Sequence, residues 1–71
     1  MKYFFGYYIT NGKVHSYKWV EDNGTSVGYN PPAVPGNRHE ITKFNYQKIQ
    51  LKYLEREFPY KPPQEETKPP D

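Results

Sequence analysis

The sequence predicts a small α+β domain: a three-stranded antiparallel β-meander, one C-terminal α-helix packed on one face of it, and a disordered Pro-rich tail. Three observations predict this. Asn-Gly pairs at Asn11-Gly12 and Asn23-Gly24 are flanked by aromatic and β-branched residues. Apolar residues between Phe44 and Phe58 recur at helical spacing. Pro59–Asp71 holds five of the eight prolines and no aliphatic residue. The domain is therefore assigned to residues 1–58 and the tail to 59–71.

The first hairpin joins Lys2–Thr10 to Lys13–Val20. Asn-Gly accepts positive φ at both central positions of a type I′ turn, and the flanks suit a pleated sheet. A second turn at Asp22-Asn23-Gly24 leads into a short third strand over Thr25–Tyr29. Two-residue loops set the register: Thr10 faces Lys13, Ile9 faces Val14, Tyr7 faces Ser16 and Tyr3 faces Val20. Across the second turn, Val20 faces Val27 and Lys18 faces Tyr29. Cross-strand partners share a face. One face thus carries Tyr3, Phe5, Tyr7, Ile9, Val14, Val20, Val27 and Tyr29, and holds every strand aliphatic, so it is the expected core. The other carries Phe4, Gly6, Tyr8, His15, Tyr17, Trp19, Ser26 and Gly28.

Asn30–Gly36 contains three prolines and reads as a connector that leaves the sheet. Two helix starts compete after it. Asn37 and Glu40 have capping-box spacing. With Asn45 as N-cap instead, Glu40–Phe44 stays extended and the helix begins at Tyr46. Over Tyr46–Phe58, one stripe combines Phe44, Leu51, Leu54 and Phe58. Tyr46, Ile49 and Tyr53 form a second, which a single sheet cannot cover; partial alternation over Phe44–Tyr53 also leaves a strand reading open.

Composition limits what such a chain can do. With 71 residues it buries only about 60% of its unfolded surface. Leu, Ile, Val and Phe together number thirteen, so eight Tyr, four Phe and one Trp must supply the core. Without cysteine there is no disulfide framework and no thiolate metal site, and a cytoplasmic location is the default. The apolar run Tyr3–Ile9 is too short and too polar for a membrane span or a signal segment. A net charge of +2 is a weak footprint for nucleic acid.

No constellation for catalysis stands out, so no enzyme, metal or cofactor is expected. His15 and His39 lack partner motifs, Ser16 and Ser26 lack a nucleophile-elbow context, and the glycines are scattered singly. Arg38, His39 and Glu40 could in principle serve acid–base cleavage of RNA, but adjacent residues rarely point at one reacting atom.

The second sheet face supplies the candidate contact residues Phe4, Tyr8, His15, Tyr17 and Trp19. Tyr, Trp and Phe are the residue types that interface centres favour. The competing structural reading is that the connector or a second subunit covers this face. Two unpaired sheet edges would also invite strand addition or a homodimer. The alternative is a single-stranded nucleic-acid module. Its rings would stack on bases, and Lys13 with a basic ridge of Lys48, Lys52 and Arg56 would reach phosphates. In the tail, Pro59 and Pro62 have PxxP spacing, which can dock aromatic grooves.

The segments Lys2-Tyr3-Phe4-Phe5, Tyr7-Tyr8-Ile9-Thr10 and Ile41-Thr42-Lys43-Phe44, with the helix through Leu54, resemble small phage or prophage accessory proteins of β-meander-plus-helix type. The resemblance covers about half the chain. It implies a protein that binds, and in some cases inhibits, a host protein or defence complex, and it transfers no site residues. The expectation is a non-catalytic binding protein in which Trp19→Ala abolishes partner capture and leaves the fold intact.

Overall fold

The computed structural model describes residues 1–62. The architecture is α+β, with an open antiparallel sheet and two short helices. The strands are β1 (Lys2–Thr10), β2 (Lys13–Asp22), β3 (Thr25–Ser26) and β4 (Arg38–Ile41), in the spatial order β3-β2-β1-β4. The helices are α1 (Lys43–Lys48) and α2 (Leu51–Glu57).

The β1–β2 hairpin has the register that its turn dictates, from Thr10 opposite Lys13 to Lys2 opposite Glu21. Asn11 and Gly12 have φ of 50° and 73°, and Asn23 and Gly24 have φ of 56° and 80°, the left-handed pairs of type I′ turns. The third strand is shorter than expected. It pairs only Asp22 with Thr25 and Glu21 with Ser26, and one further bond runs from the Val27 N–H to the Val20 carbonyl. Gly28, at φ 83°, then turns the chain away, so Tyr29 never reaches Lys18.

A fourth strand replaces the expected capping box. Arg38–Ile41 pairs antiparallel with β1, placing Tyr3 opposite Ile41 and Phe5 opposite His39. The helix begins later. The Thr42 hydroxyl accepts the Asn45 N–H at 3.0 Å, so neither Asn37 nor Asn45 is the N-cap. A β-branched Ile41 opposite Tyr3 extends a sheet that already offers a free β1 edge, and that pairing outweighs local capping preference.

The helical segment is also broken. Ile49 and Gln50 are extended, with ψ of 131° and 153°, and they reset the helical phase between α1 and α2. Residues from both expected stripes consequently meet the sheet: Tyr46 and Ile49 from one, Leu51, Leu54 and Phe58 from the other. Phe44 and Tyr53 face outward. The carbonyls of Tyr46 and Ile49, beside the break, accept the Lys18 ammonium at 2.8 and 3.0 Å.

The core lies where the strand alternation puts it, between helices and sheet. Phe5, Tyr7, Ile41 and Leu54 are buried together with Val34 from the connector. Ile9, Val14 and Val27, expected in this core, project beyond the helices and are exposed. Packing continues past Phe58. Tyr60 stacks edge-on against Tyr7, and the buried Asn37 side chain brackets the Lys61 backbone, donating to its carbonyl at 2.9 Å and accepting its N–H at 3.0 Å. The packed chain thus reaches Lys61, beyond the boundary expected at Phe58; residues 63–71 of the expected tail lie outside the described residues.

Asn37→Ala should cost about 1–3 kcal/mol, because it leaves two backbone groups without their partner. Chemical denaturation checks the value. A chain ending at Phe58 should be destabilised in the same direction, since it loses both Tyr60 and the Lys61 backbone.

Candidate functional site

The second sheet face is a ladder of rings. Phe4 stacks on Trp19 (centroids 5.4 Å apart), Trp19 on Tyr17 (4.5 Å), Tyr17 meets Tyr8 edge-on (5.2 Å), and Tyr8 stacks on His15 (5.1 Å). All five predicted contact residues therefore come together. They do not share one environment.

Phe4 and Trp19 are sealed inside the monomer, at 5% and 4% exposure. The Arg38 guanidinium lies 4.2 Å above the Phe4 ring. The Trp19 indole N–H donates to Glu21 at 2.9 Å, and Glu21 in turn takes Arg38 at 3.1 Å. The connector crosses the same face, and Asn30–Ala33 lie alongside Tyr17, Trp19 and Arg38. Tyr17 donates its hydroxyl to the Pro31 carbonyl at 2.6 Å, and the Val34 N–H reaches the Tyr7 carbonyl at 2.8 Å. Burial, then the nearby Glu21 carboxylate, pushes the Tyr17 phenol up from its ordinary value.

Gly6 makes the seal possible. A Cβ there would stand 2.7 Å from the Asn37 carbonyl oxygen and 3.0 Å from the Trp19 ring. The expectation that Phe4 and Trp19 form a contact surface is thereby corrected. They are the core of a second layer, because the connector must cross this face to reach the β1 edge.

Tyr8, His15 and Tyr17 remain half-exposed at the other end of the ladder. Beside Tyr8 opens a groove of about 690 Å³, lined by Ile9, Thr10, Tyr29 and Pro31–Pro35. None of its lining residues carries a charge, although 25% of the chain is charged. Tyr29 is 90% exposed and Ile9 is 51% exposed. Strand alternation places both in the core, and the prolines act in the sequence as breakers. The signal that marks them is the run from Gly24 to Asn37, fourteen residues without a charge.

The basic ridge is not continuous. Lys48 ends α1, while Lys52 and Arg56 belong to α2 beyond the break, with Glu55 and Glu57 interspersed. Glu55 accepts the Ser16 hydroxyl. Lys13 stands at the hairpin tip, opposite Thr10. Of the two sheet edges expected to be free, β4 occupies that of β1. Among the described residues β3 pairs with only the last two residues of β2, so an added strand would meet Lys13–Lys18.

Arg38, His39 and Glu40 do not converge. Arg38 turns to Phe4, whereas His39 stacks on Phe58 across the sheet. Among the described residues no group of three or more His, Asp or Glu is placed to hold a metal, and no helix is long and apolar enough to cross a membrane. Comparison with protein-family models, with curated proteins and with solved structures finds no match to this chain.

Proposed function

We propose that this protein is a non-catalytic interaction module that binds, and by binding blocks, a partner protein. Its contact surface is the outer end of the aromatic ladder, Tyr8, His15 and Tyr17, continued by the groove of Ile9, Tyr29 and Pro31–Pro35. The observation that carries this reading is the chargeless groove with Tyr29 and Ile9 standing out of it. An interface centre is depleted in charge and rich in tyrosine, and its side chains lose little entropy on binding when the frame is stiff. Here the frame is stiff: the prolines restrict the connector, and the Tyr17 and Val34 hydrogen bonds tie it to the sheet at both ends. The resemblance to phage accessory proteins points the same way.

The nucleic-acid alternative requires cations beside the exposed rings. Among the described residues no cation lines the groove, and the helical cations are split between α1 and α2.

The double variant Ile9→Ser, Tyr29→Ser should change stability by less than about 1 kcal/mol, because both side chains are exposed. Affinity capture from a lysate should yield a protein retained by the natural chain and lost with this variant. Retention of the same protein by both would overturn the reading. So would a short single-stranded oligonucleotide that shifts the Tyr8 and Tyr29 resonances with a steep salt dependence. Trp19→Ala is the contrasting control. It should destabilise by about 3–5 kcal/mol, a loss measured by denaturation and not confined to binding.

A further inference from the structure

His39 is a titratable group that no binding surface uses. It sits on β4 opposite Phe5, with its imidazole stacked on Phe58 at 4.5 Å and 19° and facing the Phe5 ring at 6.5 Å. Its Nε2 is buried and has no hydrogen-bond partner among the described residues. A neutral imidazole tolerates that environment. An imidazolium needs both ring nitrogens to donate, and the Nε2 proton would be buried without an acceptor among the described residues.

Phe58 belongs to a short strap, Phe58–Lys61; its ring also meets Phe5 at 6.0 Å and its N–H donates to the Leu54 carbonyl at 2.8 Å. The Tyr7 hydroxyl donates to the Phe58 carbonyl, Tyr60 meets the Tyr7 ring, and Asn37 brackets Lys61. Among the described residues, the charged and titratable groups around His39 offer an imidazolium no counter-ion. Lys61, on the strap, is the cation whose field reaches it. Tyr7, on β1, is a neutral phenol committed to the strap. Within β4, Arg38 is turned to the opposite face over Phe4, and Glu40 pairs opposite Phe4 on that same face. Glu55, on α2, is engaged with Ser16.

We propose that His39 is a proton-operated latch for this strap: when the imidazole gains a proton it leaves Phe58, and the segment Phe58–Lys61 detaches while the β1–β2 hairpin stays paired. No covalent step is involved; the proton comes from solvent and goes to the ring nitrogen. The sign follows from linkage. Burial first, and Lys61 second, pull the His39 pKa below its ordinary value of 6.5 in the closed form. The open form therefore binds more protons just below pH 6.5, and acid favours opening there. Above that pH both forms are neutral at His39 and the strap is closed.

The test is NMR on the full chain between pH 7.5 and 5. The Lys61 amide, which donates to Asn37, should keep its protection above pH 6.5 and lose it by as much as about tenfold per pH unit below, after correction for intrinsic exchange. The Tyr60 ring resonances should move with it, and the hairpin amides of Tyr8 and His15 should keep their protection. The His39 ring should titrate with a midpoint below 6.5. In His39→Phe, which preserves a ring on Phe58 and leaves His15 in place, the Lys61 protection should no longer depend on pH. Lys61 protection that ignores pH in the natural chain overturns the proposal. So does the same pH dependence in His39→Phe, or loss in step with the hairpin amides. Should His39→Phe fail to fold, a His39 midpoint at or above 6.5 in the natural chain overturns it alone.

Discussion

The chain has to travel from the outer side of β2, where β3 ends, to the outer side of β1, where β4 begins, and it does so across the sheet face opposite the helices. Much of the rest follows from that passage. The crossing segment converts an aromatic face into a second buried layer, lets Val34 reach the first core, and delivers Arg38 above Phe4. It is possible because Gly6 leaves a hollow in β1. The Asn37 carbonyl and the edge of the Trp19 ring both occupy space that any Cβ would claim.

The outcome is a sheet covered on both sides by very little chain. Two helices of six and seven residues shield one face, and a proline-containing strand of backbone shields part of the other. Aromatic rings suit this economy because each buries a large area and most carry a polar atom that can be satisfied at the layer's rim. Tyr7 donates to Phe58, Tyr17 to Pro31 and Trp19 to Glu21. Lys18 does similar work from the aliphatic side, capping carbonyls beside the helix break and so holding α1 and α2 at their relative phase. Asn37 acts as a piece of backbone, pairing with Lys61 as a strand residue would.

Incomplete cover explains where the exposed apolar surface lies. The helices stop short of the hairpin tip, so Ile9 and Val14 emerge from the core side, while the connector stops short of Tyr8 and His15 on the other. The groove beside Tyr29 is where these two shortfalls meet. On the helix side of the sheet the same thin cover leaves His39 against a strap of four residues, Phe58–Lys61, which Asn37 and Tyr7 also hold. The exposed groove and the strap against His39 thus follow from one limit, the short length of chain available to cover the sheet.

What the residues alone determined is local. Asn11-Gly12 dictates a two-residue turn, that turn sets every pair in β1–β2, and alternation then sorts Phe5 and Tyr7 from Phe4 and Trp19. A helical tendency over Tyr46–Phe58 was legible beside a competing strand reading of Phe44–Tyr53, as was the departure of Asn30–Gly36 from the sheet. Only tertiary contact decided the remainder. Arg38–Ile41 became a strand because a vacant β1 edge offered it hydrogen bonds, against its own capping spacing. The helix broke at Ile49 with Lys18 there to receive the carbonyls. Trp19 was buried because a segment far from it in the chain had to cross above it. A residue's face follows from the turn next to it, whereas its cover depends on where distant backbone finds partners.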